Sequence, residues 1–385
     1  MIIGVDYTAA AWQGAGIGRY TRELIAATVP RDRSLRYVLF YAAGGLPPDG
    51  PYLRELAALC AANPNVRARP IPLSPRLLTI LWQRLRLPVP VEALIGKIDI
   101  LHAPDFVLPP TRARALLTVH DLTFMVRPET ADAGLRRYLM SAVPRSLRRA
   151  DLVLVDSLAT GADLGRLLGV GQERVRLLYP GVNPRFRPLP AAECEPLRAQ
   201  LGLPESFLLF VGTLEPRKNL VRLIESFAHL TAGGAYPELS LVIAGRRGWL
   251  YAEIFAAVER LGLAERVRFL NFVDESHLPG VYNLARAFVY PSLYEGFGLP
   301  ALEALACGTP VVTAAVSSLP EVVGDAAVLV DDPLDPAAIA GGIARALSEH
   351  ERLRAAGPVQ AQRFSWDTAA SGLIDIYRAL AGPRA

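Results

Sequence analysis

The sequence predicts a two-domain α/β protein, each half a doubly wound parallel sheet with helices on both faces, and three observations carry that prediction. Short apolar runs bounded by turn residues alternate with helical patterns along the whole chain, which argues for parallel βαβ units. The alternation breaks once, in a Pro- and Gly-rich stretch over residues 181–190, and then restarts. The chain has 385 residues, 51% hydrophobic and 20% charged, too long for one ordinary domain and apolar enough for two full cores.

Taken in order, the first half offers strands at residues 2–6, 37–41, 100–102, 115–119 and 152–156, with helices at 17–27, 53–62 and 135–149 between them. The second half offers strands at 207–211, 239–244, 267–270, 287–290, 311–313 and 327–330. Residues 366–380 close the pattern as an amphipathic helix with Ala369, Leu373, Ile376, Tyr377 and Leu380 on one face. The opening MIIGVD reads as a strand, because it lacks the basic start and long apolar centre of a signal peptide. No run approaches the ~20 apolar residues of a membrane span, so the expectation is a soluble, cytoplasmic protein. Ligands in such sheets bind beyond the carboxyl ends of the strands, and two facing halves set a cleft between them.

Charge is distributed unevenly. Residues 1–183 hold 23 Lys+Arg against 15 Asp+Glu, a balance of +8, while the remainder sums to −4. A basic first half suits an anionic partner, such as a phosphorylated acceptor or the inner face of an anionic membrane; a merely solvated surface is the alternative. The run LLTILWQR (residues 77–84) has the composition of a peripheral membrane contact. The arginines are scattered and no nucleic-acid-binding motif accompanies them, so no nucleic acid partner is expected. Cys60, Cys194 and Cys307 lie far apart, which fits neither a disulfide framework nor a zinc site.

Phosphate chemistry is legible in the second half. In VYPSLYEGFGLPALEALACG (residues 289–308) a strand runs into a glycine-containing loop and then a helix beginning near Pro300, with Gly308 as its stop. Gly296 and Gly298 let backbone amides approach a ligand, and the helix N-terminus points its positive end at the same place. Glu295 in the loop and Glu303 one turn into the helix are acceptors for sugar or ribose hydroxyls. In VGTLEPRKN (residues 211–219) a strand reaches Gly212, and Arg217 and Lys218 stand where they can neutralise a diphosphate. Lys218 is one of only two lysines, with Lys97, against 39 arginines, which points to a place that needs a compact point charge.

The first half is less explicit. QGAGIGRY (residues 13–20) follows the first strand and opens a helix, and its Gly16 is a candidate for cradling phosphate. No acid follows the second strand where a NAD ribose needs one, which tells against an oxidoreductase. His120 closes the strand 115–119 ahead of Asp121 and is a candidate to hydrogen-bond a transferred sugar and steady developing charge; His102 is a second strand-end histidine.

Together these runs resemble the retaining family 4 glycosyltransferases (glycosyl transferases group 1) of the GT-B fold, over nearly the whole chain. The resemblance rests on the E-x7-E pair Glu295 and Glu303 within EGFGLPALEALACGTPVV, on VGTLEPRKN, VHD (residues 119–121), the GIGRY loop, the YPGV turn (residues 179–182) and LPEVVGDAA (residues 319–327). It implies two Rossmann-like domains: residues 1–183 on the acceptor side, and 184–365 binding a nucleotide-sugar donor. The terminal helix, 366–385, would pack back on the first. It further implies that Arg217 and Lys218 contact the diphosphate and Glu303 the ribose. Glu295 with the backbone of Gly296, Phe297, Gly298 and Leu299 would hold sugar and phosphate, Val273 would lie near the base, and His120 would face the sugar. Thr213 stands where many members of the family have arginine, so that phosphate contact passes to Arg217 or to a first-domain group.

No D-x-D occurs, so neither a metal nor another cofactor is expected, and transfer with retention would proceed by front-face attack of the acceptor hydroxyl. The VGTLEPRKN variant resembles mannosyltransferase-like members acting on glycan or lipid-linked acceptors, with GDP-mannose the first candidate donor and UDP-glucose the second. A nucleotide-sugar epimerase of the same architecture and a non-catalytic nucleotide-sugar-binding subunit stay open at this point.

Overall fold

The computed structural model describes residues 1–14 and 16–382. It holds two parallel sheets. The first contains β1 (Ile2–Asp6), β2 (Arg36–Ala42), β3 (Val66–Ile71), β4 (Ile100–Ala103), β5 (Arg114–Val119), β6 (Leu152–Val155) and β7 (Val175–Leu177), in the order β3-β2-β1-β4-β5-β6-β7. The second contains β8 (Ser206–Val211), β9 (Leu239–Ala244), β10 (Val267–Asn271), β11 (Ala287–Tyr290), β12 (Val311–Ala314) and β13 (Ala327–Val330), in the order β10-β9-β8-β11-β12-β13. Each order reverses once, at β1/β4 and at β8/β11, and those switch points are where doubly wound sheets receive ligands.

Sequence reading placed every inner strand and missed two, β3 and β7. Both are sheet edges, pairing only with β2 and with β6. With one neighbour and a largely exposed face, VRARPI and VRL need no apolar run, so arginine and proline stand where an inner strand has valine or leucine.

Two compact units follow: residues 1–122, 134–181 and 365–385, and residues 123–133 with 182–364. The boundary falls at 181/182 rather than 183/184, and residues 123–133 count with the second unit although they lie inside the predicted first domain. One bond that ties them there runs from the Trp249 indole to the Thr130 carbonyl, 2.8 Å. The terminal helix Trp366–Leu380 belongs to the first unit; residues 383–385 of the predicted 366–385 segment lie outside the described residues.

The first core gathers Ile3 and Val5 of β1, Ile100 of β4 and Leu116 of β5 with Trp366, Leu373, Ile374 and Tyr377 of the terminal helix. That helix packs along Ile17–Thr28. Tyr377 is fully buried, and its hydroxyl meets His102 Nδ1 at 2.8 Å, while Thr118 Oγ1 lies 3.1 Å from Nε2. Burial pushes the His102 imidazole down to about 3, so it is a neutral structural group rather than a second site histidine. In the second unit Phe210, Phe288 and Tyr290 stack under the switch point, with centroids 5.8 and 5.5 Å from Tyr290.

Candidate functional site

The chain leaves β8 at Val211, turns through a 3-10 segment at Pro216–Lys218, and enters the helix Leu220–Thr231 from Asn219. It leaves β11 at Tyr290, and the loop to the helix Leu299–Ala306 carries Glu295. Because β8 and β11 are neighbours at the switch point, residues 77 apart in sequence meet. Lys218 Nζ lies 2.6 Å from Glu295 Oε1, and Arg217 Nη1 lies 2.7 Å from Glu295 Oε2. Lys218 also donates to the Tyr290 hydroxyl at 2.6 Å, and Arg217 Nη2 pairs with Glu215 at 2.7 Å. Lys218 and Glu295 are each only 6% exposed.

Burial alone would raise the Glu295 carboxyl, but the Arg217 and Lys218 charges outweigh it and hold it at about 2. Lys218 is also held below the usual lysine range, by burial first and then by the like charge of Arg217. Two cations thus face two carboxylates, Glu295 and Glu215, and an incoming anionic group would compete with those carboxylates for Arg217 and Lys218. Lys218 spends two of its three N–H donors on Tyr290 and Glu295.

The loop around Glu295 is fixed from its far side. Ser317 Oγ accepts from the Glu295 amide at 2.8 Å, and Ser318 Oγ reaches the carbonyls of Glu295 at 3.0 Å and Phe297 at 2.8 Å. Gly298 caps the helix at φ 107, and a Cβ there would stand 2.8 Å from Leu319 Cδ2, so both conformation and space call for glycine. Leu299 and Pro300 form the first turn. Asn219 Nδ2 donates to Pro291 O at 3.1 Å and Pro333 O at 2.6 Å, joining the loops after β11 and β13.

The other predicted residues fall around this cluster rather than in it. Gly212 sits just past β8 with its amide on Ala244 O at 2.9 Å, and a Cβ at neighbouring Gly245 would lie 1.8 Å from the Gly212 carbonyl. Glu303 is 2% exposed and accepts from the Tyr282 hydroxyl at 3.1 Å. Val273 is buried past the end of β10, at the sheet edge, two strands from β8.

Two predicted residues belong to the first unit. Gly16 follows β1 at the other switch point, with φ 58 and open space where a Cβ would stand. Its loop neighbour Ala15 lies outside the described residues. Arg22 pins the loop through the carbonyls of Ala10, Gln13 and Gly14, at 2.8, 2.6 and 3.0 Å. His120 is 8% exposed, and both its ring nitrogens are engaged: Nδ1 with Asp156 Oδ2 at 2.5 Å and Nε2 with the Pro104 carbonyl at 2.8 Å. A ring that faces a carboxylate and a carbonyl donates from both nitrogens, which makes it an imidazolium. Burial alone would lower its pKa; the Asp156 charge and hydrogen bond lift it to about 9. The sequence reading of a histidine offering a nitrogen to sugar is thereby changed to one of a buried cation held by Asp156 and Pro104.

Sequence reasoning did not assign roles to Tyr290, Glu215, Ser317, Ser318, Asn219 or Asp156. Glu215 and Asn219 lay inside a quoted motif and Asp156 at a strand end, but their partners are set by tertiary contact.

Comparison with known proteins follows the same division of the chain. A family model described as "Glycosyltransferase Family 4" matches residues 14–186, and one described as "Glycosyl transferases group 1" matches residues 195–361. The chain is 38% identical to O-antigen chain mannosyltransferase B of Escherichia coli, over 73% of this chain and 74% of that protein. It is 34% identical to a D-inositol 3-phosphate glycosyltransferase of Segniliparus rotundus, over 68% of this chain and 60% of the relative. With the serotype-specific mannosyltransferase WbdA of Escherichia coli it shares 29% identity, and the match spans only 34% of that longer protein. Among solved structures, a sucrose-phosphate synthase from Thermosynechococcus elongatus superposes with TM-score 0.76 at 25% identity, covering 99% of both chains. Anabaena HepE, solved with UDP and glucose, superposes with TM-score 0.75 at 20% identity, covering 98% and 99%, a likeness of fold.

Proposed function

The chain belongs to the glycosyl transferases group 1 of glycosyltransferase family 4, and from that premise we propose a retaining, metal-independent mannosyltransferase that takes GDP-mannose as donor and extends a glycan or lipid-linked acceptor. The observation that carries the reading is the Arg217–Glu295–Lys218 cluster at the β8/β11 switch point. A departing nucleoside diphosphate develops negative charge, and two preorganised cations stabilise it with little reorganisation. Lys218 retains one N–H for a phosphate oxygen. When phosphate draws the two cations toward itself, Glu295 is released to accept hydrogen bonds from the sugar hydroxyls. The cations supply the role that a divalent ion fills elsewhere.

Around that centre, the Gly212 and Gly296–Leu299 backbone is assigned to the phosphates, Glu303 to the ribose and Val273 to the base; Gly16, at the first unit's own switch point, is a separate candidate for phosphate. His120, as a cation fixed by Asp156 in the first unit, is assigned the steadying of developing charge rather than a hydrogen bond to sugar. The names of two relatives, both called mannosyltransferases, support mannose over glucose. Polysaccharide synthesis at the cytoplasmic face of an anionic membrane fits the basic first half; among the described residues no helix is long and apolar enough to cross a membrane.

A thermal-shift series tests the donor, because a ligand that binds only the folded state stabilises it by mass action. GDP-mannose is expected to raise Tm more than UDP-glucose does, with EDTA leaving both the shift and turnover unchanged. An epimerised donor without transfer, or donor binding without turnover on any acceptor, contradicts the reading.

A further inference from the structure

The first unit carries a second concentration of positive charge at the opposite end of its sheet. A recess of about 460 Å³ is walled by residues 110–112, which precede β5, by the last turn of the helix Ala133–Arg149, which precedes β6, and by the loop 85–90. Arg86, Arg112, Arg145, Arg148 and Arg149 line it together with Trp82, and no Asp or Glu does. Among the described residues none of the five is paired with a carboxylate. Glu92 is already committed, accepting from Thr111 Oγ1 at 2.6 Å and from the Arg112 and Ala113 amides at 2.8 and 3.0 Å.

What the arginines do touch holds them in place without neutralising them. Arg149 donates to the carbonyls of Leu108 and Pro109 at 3.1 and 2.5 Å, and Arg145 to Ser141 O at 2.9 Å. Burial and the like charge of Arg145 hold the Arg149 guanidinium below its ordinary value, the mark of cations crowded without a counter-ion.

Beside this charge the surface turns apolar. Leu85, Leu87 and Val89 are 61%, 40% and 44% exposed, and Leu94 is 45% exposed. The loop that presents them is built rather than loose. The Trp82 indole donates to Val89 O at 3.1 Å, and Arg86 takes a left-handed conformation at φ 56, which costs a non-glycine residue about 1 kcal/mol or more. Five guanidiniums without a carboxylate partner, beside a rim of leucine and valine, match an interface where anionic phosphate and hydrocarbon lie side by side. A soluble anion would use the arginines and leave the rim without a purpose.

We infer that this recess seats the phosphate of an acidic phospholipid headgroup, with Leu85, Leu87 and Val89 entering the headgroup region beside it. The inference rests on the membrane reading above and gives it a location; it is independent of the sugar-transfer reading.

The test is sedimentation of the full chain with phosphatidylcholine vesicles, with and without phosphatidylglycerol. Two variants accompany it, R86E/R112E/R148E and L85S/L87S/V89S, and thermal unfolding checks that each folds. Each arginine near an anionic surface contributes roughly a fivefold gain in partitioning. Wild type should bind only the anionic vesicles, the charge-reversed variant should bind them at least about 100-fold more weakly, and the serine variant should also lose binding. All three should hydrolyse or transfer from a soluble donor at equal rates in the absence of vesicles. Equal binding by both variants would overturn this site and leave the membrane reading standing; no binding by wild type would overturn both. Stabilisation by inorganic phosphate without vesicle binding would assign the recess to a soluble anion and overturn the headgroup.

Discussion

Lys218 and Glu295 stabilise each other in a place where neither is stable alone. Removing Glu295 leaves the buried Lys218 ammonium without its carboxylate, a loss on the order of 3 kcal/mol in folding stability, while removing Lys218 costs less because Arg217 still pairs with Glu295. Lys218→Ala is therefore expected to lower both Tm and kcat/KM, the latter by roughly 100-fold if one transition-state contact to phosphate is lost. Lys218→Ala with unchanged kcat/KM at a temperature where it is folded contradicts the phosphate assignment. Two pH windows also belong to single residues. His120 is lifted to about 9 in the folded state, so its contribution is complete below the unfolded value near 6.5 and lost as pH rises through 9. Glu295 is held at about 2, so its contribution is complete above the unfolded value near 4.5 and lost as pH falls toward 2. Unfolding followed by circular dichroism from about pH 7 to about 9.5 should show a smaller decline in His120→Gln than in wild type; parallel declines contradict the imidazolium. The motif residues at this site were legible because charge, glycine and strand ends coincide in VGTLEPRKN and YEGFGLP. Their partners were not, since Tyr290 with Lys218 and Asp156 with His120 are pairs that only the folded sheets bring together.

At the scale of elements, every inner strand and the edges β10 and β13 were readable, and the edges β3 and β7 were not. β8, β9, β11 and β12 are covered on both faces, so their sequences are continuous apolar runs. β3 and β7 have no such obligation, and their arginines conceal them. The close approach of the turns after β8 and β9 makes its own prediction. Gly245→Ala would drive a Cβ to 1.8 Å from the Gly212 carbonyl, so backbone must shift beneath Lys218. The expected outcome is a weaker donor-induced thermal shift together with a loss of stability of about 1–3 kcal/mol. An unchanged shift would show that the β8 turn does not position the donor. In the first unit, Tyr377→Ala empties a fully buried aromatic site in the terminal helix and removes the hydroxyl that meets His102, a loss of about 3–5 kcal/mol measurable by urea denaturation. A change below about 1 kcal/mol would mean that the helix is not part of the first core.

For the whole molecule, two doubly wound units each present one switch point, and the Arg217–Glu295–Lys218 cluster proposed for the donor lies at that of the second. The half-boundary near residue 183 was visible from composition, whereas the transfer of residues 123–133 to the second unit was not, because the Trp249–Thr130 bond and its neighbours join segments 119 residues apart. Sugar and acceptor identity leave no comparable mark in residue pattern. The central claim is transfer of mannose from a nucleotide donor with its anomeric configuration kept. The most direct measurement is the one-bond carbon–proton coupling at the anomeric centre of the first-formed product, made from GDP-mannose labelled with carbon-13 at that position. An α-configured product, like the donor, is the predicted result; a β-configured product contradicts the account.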